Sequence, residues 1–112
     1  MAEYLYLYRS GNRPGTPEQM QQTMQKWMDW MKELGAKGHL KDAGHPLEGG
    51  GKVVHAKSKI NDGPYAETKD LIGGYSLIEA KDLSHAAELS QGCPILSVGG
   101  MVEIRPIMKN GM

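Results

Sequence analysis

The segment NDGPYAETKDLIGGY, residues 61–75, gathers groups that could do chemistry. Asp62 stands before Gly63 and Pro64, an order that suits two roles. As a turn residue, Asp accepts a hydrogen bond from the backbone two residues on, Gly adopts unusual dihedrals and Pro fixes the next φ. As a reactive group, a carboxylate desolvated at a strand end beside tyrosines is a proton acceptor or donor. Glu67 and Lys69 lie two apart and share a face of any extended segment, either as a solvated ion pair or as groups that orient a ligand. Tyr65 brings a phenol that needs water or a partner if buried. Arg105, in VEIRPI, has Glu103 two positions away as its natural partner, which fits an anion-binding guanidinium and a structural ion pair equally. His45, in GHPL, is the histidine to test first as a proton carrier; its alternative is an ordinary loop residue.

Other chemistry finds less support. His39, His45, His55 and His85 show no metal-ligand spacing, and Cys93 has no second cysteine, so it reads as a small buried thiol. The GGGK at residues 49–52 has Pro46 where a phosphate loop needs glycine and Val53 where it needs a hydroxyl. The sequence therefore predicts chemistry without metal or cofactor. Thirteen Lys and Arg balance thirteen Asp and Glu, and Lys52, Lys57 and Lys59 are followed by Asp62, Glu67 and Asp70. No basic stripe for nucleic acid and no field for an anionic membrane results; a small anionic or carbonyl-bearing metabolite is the expected partner. The opening MAEYLYLYRSG lacks the basic start and long apolar run of a secretory signal, and no apolar run approaches spanning length, which points to a cytoplasmic protein.

The positioning elements follow from periodicity, and 112 residues suit a single domain over 1–112. Tyr4 to Tyr8 alternates as a strand with large residues on both faces. Thr16, Pro17 and Gln19 form a capping box with proline at the first helical position; Met20, Met24, Trp27, Met28, Met31 and Leu34 predict the packed face, and Gly35 the end. With eight Met and no Phe, flexible thioethers fill much of the core. Residues 37–51 read as loop, 52–60 as a strand, 61–64 as a turn and 74–80 as a strand, with room for a short extra hairpin between the last two. A second helix starts from Asp82 or Ser84 and stops at Gly92 and Pro94, and residues 101–107 close the chain as a strand.

This order is the βαββαβ of a ferredoxin-like α+β fold, an antiparallel sheet with both helices on one face. Leu5, Leu7, Val102 and Ile104 are expected to meet the helices, leaving Tyr4, Tyr6, Tyr8, Glu103 and Arg105 on the other face. A second copy is the simplest cover for that face, so a homodimer is expected.

DGPYAETKDLIGGY, followed by an acid-capped helix ending in GCP, then VEIRP, and preceded by GHPL, resembles the YCII-related proteins, in particular the DGPF branch. The resemblance spans nearly the whole chain and implies a dimeric α+β barrel, with clefts between opposed sheets, in a family regarded as enzymes with few established reactions. Tyr65 replaces the phenylalanine of the signature. The core YCII branch is associated with a first-helix histidine working with an aspartate, and residues 16–34 hold no histidine here, so that dyad does not carry over. Relatives lie beside or are fused to sigma-factor-type regulators.

Three readings follow. In the first, a cofactor-independent lyase or isomerase uses Asp62, with His45 as second candidate, to move a proton while Arg105, Tyr6, Tyr65, Glu67 and Lys69 hold the substrate. The second is a non-catalytic ligand-binding or regulatory module with the same cleft. The third is a structural dimer in which the motif only shapes a hairpin.

Overall fold

The structure, a computed structural model, describes residues 1–11, 15–63 and 71–109. Along the chain run β1 (Ala2–Ser10), α1 (Pro17–Ala36), β2 (Leu40–Asp42), β3 (Gly51–Ala56), β4 (Lys59–Gly63), β5 (Ile72–Ala80), α2 (Leu83–Ser90), a 3-10 helix (Pro94–Val98) and β6 (Gly100–Pro106). Four strands make one antiparallel sheet in the order β2-β5-β1-β6, and β3 pairs with β4 as a separate hairpin. Apart from the hairpin, this is the expected ferredoxin-like α+β fold.

Its second strand is not the one the sequence indicates. β2 occupies three residues of the supposed loop, and the 52–60 segment is instead folded back on itself into β3 and β4. A three-residue strand with a register shift has too few positions to show a period of two. The turn between β3 and β4 falls at Lys57 and Ser58.

Helix α1 starts as expected: Gln19 N donates to Thr16 Oγ1 at 3.1 Å, Thr16 N donates to Gln19 Oε1 at 3.2 Å, and Pro17 opens the first turn. It runs past Gly35 to Ala36, and Gly38, at φ 79°, makes the left-handed exit that terminates it. Its packed face comprises Trp27, Trp30, Met31 and Leu34, whereas Met20, Met24 and Met28 are exposed. The two tryptophans fill the space above the sheet and turn the helix about its axis, so the methionine row lies on its flank.

The faces of β1 are the reverse of the expectation. Tyr4, Tyr6 and Tyr8 lie under the helices with Ile78 and Ala80, while Leu5 and Leu7 point to the other side. Val102 and Ile104 do meet the helical layer, because they stand opposite Tyr8 and Tyr6 in the β1–β6 register. The Tyr6 and Tyr8 phenols each have a partner that removes the cost of burying them. Tyr6 Oη donates to Ala86 O at 2.5 Å; Tyr8 Oη donates to Ser76 Oγ at 2.8 Å, and Ser76 passes a bond of 2.7 Å to Ala43 O. Tyr6 stacks on Trp30 at 6.2 Å, and Tyr8 meets Trp27 edge-on at 4.8 Å. In a chain without Phe, tyrosine supplies the large rings of the core.

Both helices cover one side of the sheet only. The molecule measures 46 × 44 × 18 Å, and the short dimension has room for one sheet and one helical layer. The hairpin's strands contact each other and little else. The radius of gyration, 15.4 Å, accordingly exceeds the roughly 13 Å of a compact chain of this length.

Candidate active site on the open face of the sheet

The face that neither helix covers carries the best-organised chemistry among the described residues. Leu5 stands opposite Leu77, and Leu7 opposite Tyr75, so a half-buried apolar patch occupies its middle. On the next strand, Leu7 faces Glu103 and Leu5 faces Arg105. Glu103 accepts a hydrogen bond from Arg9 Nη1 at 2.9 Å and has Arg105 Nη1 at 3.7 Å. The pair expected from sequence thus exists, but the closer partner of Glu103 is Arg9. Arg9 is a quarter exposed and tied to the acid, whereas Arg105 is two-thirds exposed with donors left for another group. At the opposite corner Lys41 bonds Glu3, which raises the lysine's pKa, with Glu79 alongside.

His45 joins this face from the sheet edge. Its carbonyl accepts from Tyr75 N at 3.3 Å, and its ring meets the Tyr75 ring edge-on at 6.1 Å. Asp42 Oδ1 accepts from Gly44 N at 2.8 Å, closing the chain towards β5. Only glycine fits at position 44: φ is 71°, and a Cβ there would stand 1.8 Å from Tyr75 O. The GHPL segment therefore serves to lay an exposed imidazole against Tyr75.

Two candidates need correction. Tyr6 is not on the open face: it has no exposed surface, its hydroxyl is bonded to Ala86, and no substrate on the other side of the sheet can touch it. Asp62 is not a turn residue and is not desolvated beside tyrosines. It lies within β4 opposite Lys52, its side chain is 89% exposed, and Lys52 Nζ donates to Oδ1 at 2.5 Å. The tyrosines it was to sit beside are on the helical side. Tyr65, Glu67 and Lys69 lie outside the described residues. His45 and Arg105 do share one face. Sequence reasoning missed Arg9 and Tyr75, although the alternation that puts Glu103 and Arg105 together also puts Leu5, Leu7 and Arg9 together once the register is known.

The remaining reactive groups are committed elsewhere. Burial pushes the Cys93 thiol up to about 12, and burial likewise raises the phenols of Tyr6 and Tyr8. His39 and His85 pack edge to face at 5.0 Å, His39 Nδ1 lying 3.0 Å from Glu79 O and His85 Nδ1 accepting from Lys81 N. Among the described residues no three of His, Cys, Asp and Glu converge as a metal cluster, and no helix is long and apolar enough to cross a membrane.

The family model described as the YCII-related domain matches residues 4–110. No curated protein sequence matches the chain. One solved structure to which it is similar is the 5-chloro-2-hydroxyhydroquinone dehydrochlorinase TftG from Burkholderia phenoliruptrix AC1100, in complex with 2,5-dihydroxybenzoquinone. Identity is 19% over 88% of this chain and 90% of that one, with a TM-score of 0.39. A likeness of that size carries no argument about the present site.

Proposed function

The chain belongs to the YCII-related family, and from that premise we propose that it is a single-domain, cofactor-independent enzyme acting on a small molecule by proton transfer, of lyase or isomerase type, over the open face of its sheet. The observation that carries this reading is the row Tyr75, Leu7, Glu103, with His45 against Tyr75 at one end and Arg9 and Arg105 around Glu103 at the other. Three neighbouring strands at about 4.8 Å spacing put roughly 10 Å between the outer backbones, the span of a single ring or a short carboxylate. An apolar floor with a few convergent polar groups is how small-molecule sites are built.

The roles follow from what each group can do. Arg105 holds a carboxylate or carbonyl oxygen, and Glu103, itself held by Arg9, keeps that guanidinium in place. His45 takes a proton from the carbon next to the carbonyl. The electron pair moves into the carbonyl, the enolate oxygen is stabilised by Arg105, and the step ends with loss of a neighbouring leaving group or return of the proton at another carbon. A second copy over Leu5, Leu7 and Leu77 excludes water from this row, giving the homodimer.

Proton transfer can be read without knowing the product. A panel of small carbonyl acids, enols and hydroxylated aromatics is incubated in D2O and followed by NMR. The expected result is deuterium entering a bound carbonyl compound, with the rate falling at least a hundredfold in His45→Ala and affinity about tenfold in Arg105→Ala. Ligands that bind without exchange, unaffected by His45→Ala, would replace the enzyme with a binding module.

A further inference from the structure

We infer that the β3–β4 hairpin is an arm that seats on the second copy of the chain and delivers Asp62 and Lys52 to that copy's open face, so that each site is built from two chains; this rests on the dimeric reading above. The first support is the hairpin's isolation. A two-stranded hairpin is marginal in water on its own, yet among the described residues the strands of this one contact little beyond each other and leave Val54 63% and Ile60 59% exposed. Those two side chains are directly opposite in the register, as are Lys52 and Asp62 two residue pairs nearer the base. Residues two apart share a face, so the apolar pair and the ion pair lie on the same side of the arm. Any surface that covers Val54 and Ile60 also meets Asp62.

The second support is area. Four strands at about 4.8 Å and seven residues at about 3.3 Å give the open sheet face roughly 450 Å², near half of the ~800 Å² per partner that a specific interface uses. An arm two strands wide and six residues long adds about 200 Å² of its own surface to each partner. Exchange of arms about a two-fold axis brings the sum to roughly 650 Å² per partner, inside the range of specific interfaces.

The third support is charge. The arm carries Lys52, Lys57 and Lys59 against Asp62, whereas the corner of the open face where β2 meets the ends of β5 and β1 carries Glu3 and Glu79 against Lys41. A basic arm is drawn to that acidic corner. His45 and Tyr75 lie along the same edge of the sheet. Asp62, solvated and bonded to Lys52 among the described residues, then stands beside the imidazole of the other copy, where a carboxylate can orient it.

The test uses dimers reconstituted from isotope-labelled and unlabelled full-length chains. Expected are nuclear Overhauser contacts from the Val54 and Ile60 methyls and the Asp62 Hβ protons of one copy to the Tyr75 ring and Leu77 methyls of the other. Val54→Glu with Ile60→Glu, two exposed positions, should keep the fold by circular dichroism and raise the dimer dissociation constant at least tenfold. A dimer that shows contacts between sheets but none from the arm, and is unchanged by the double variant, overturns the arm and leaves the proposed function standing. A monomer of 12.3 kDa at high concentration overturns both.

Discussion

The two faces of β1 differ in a way its composition does not announce. On one side Tyr4, Tyr6 and Tyr8, each with a hydroxyl, are packed beneath two helices. On the other, Leu5 and Leu7, with no polar atom in the side chain, remain half open between ion pairs. Hydrophobicity alone would place them the other way round. Tyrosine goes inside because Ala86 O and Ser76 Oγ await the Tyr6 and Tyr8 hydroxyls and because Trp27 and Trp30 need flat rings to pack on. Leucine falls on the side that the proposed second copy would cover. One face is finished within the chain; the proposal completes the other from outside it.

The largest effect that sharpens this contrast is on stability. Tyr6→Ala removes a fully buried ring and should cost about 3–5 kcal/mol in urea unfolding. Leu7→Ala should cost under about 1.5 kcal/mol in dilute solution, because that side chain keeps part of its surface in water before mutation. The same position tests the cover. Leu7→Asp should give a folded chain of 12.3 kDa by light scattering where the parent gives twice that mass, whereas Tyr6→Asp should not fold at all. Equal costs for Tyr6→Ala and Leu7→Ala would mean that the two faces are equally finished.

The fold was legible in the sequence because its long elements are strongly marked. The Thr16 capping box, the Asp82 cap and the alternation of β1 and β6 each show at the level of single residues. Which side of β1 faces the helices was not legible, since both sides are large and the choice rests on acceptors far away in sequence: Ala86 lies 80 residues from Tyr6, and Ser76 lies 68 from Tyr8. β2 is hidden by its three-residue length, and the place of Asp62 is not legible because DGP reads as a turn while the hairpin turns at Lys57 and Ser58. Of the site, Arg105 with Glu103 was visible from spacing. Tyr75 beside His45 needed the Gly44 bend to bring them together.

A smaller effect separates the faces by pH. Burial raises the Tyr6 and Tyr8 phenols above their ordinary value, and the Cys93 thiol from 9.0 to about 12. An acid whose folded pKa is raised favours folding while it is protonated in both states, and that advantage is lost as the unfolded chain ionises first. These three groups therefore stabilise fully below about pH 8.5 and progressively less from about pH 9 upward. Melting temperature should be level between pH 7 and 8.5 and fall above it. Tyr6→Phe should cost about 1 kcal/mol at neutral pH and flatten the alkaline decline. A Tyr6→Phe curve parallel to the parent up to pH 11 would mean that the hydroxyl is not held as described.

The smallest stability effect belongs to the open face. Glu103→Gln keeps the shape of the side chain and removes its charge, leaving Arg9 and Arg105 facing a neutral acceptor. Because these groups are partly solvated, screening keeps the loss at or below about 1 kcal/mol, and raising the salt concentration should shrink the difference further. The consequence for binding is larger than for folding. With its carboxylate gone, Glu103 no longer fixes the Arg105 guanidinium, so a carboxylate ligand found in the D2O panel should bind about tenfold more weakly even though the local net charge has become more positive. A simple count of charges predicts the opposite sign. Calorimetry on the parent and on Glu103→Gln, at two salt concentrations and beside their melting curves, therefore decides whether Glu103 positions Arg105 or only neutralises it; tighter binding in the variant would assign it the second role.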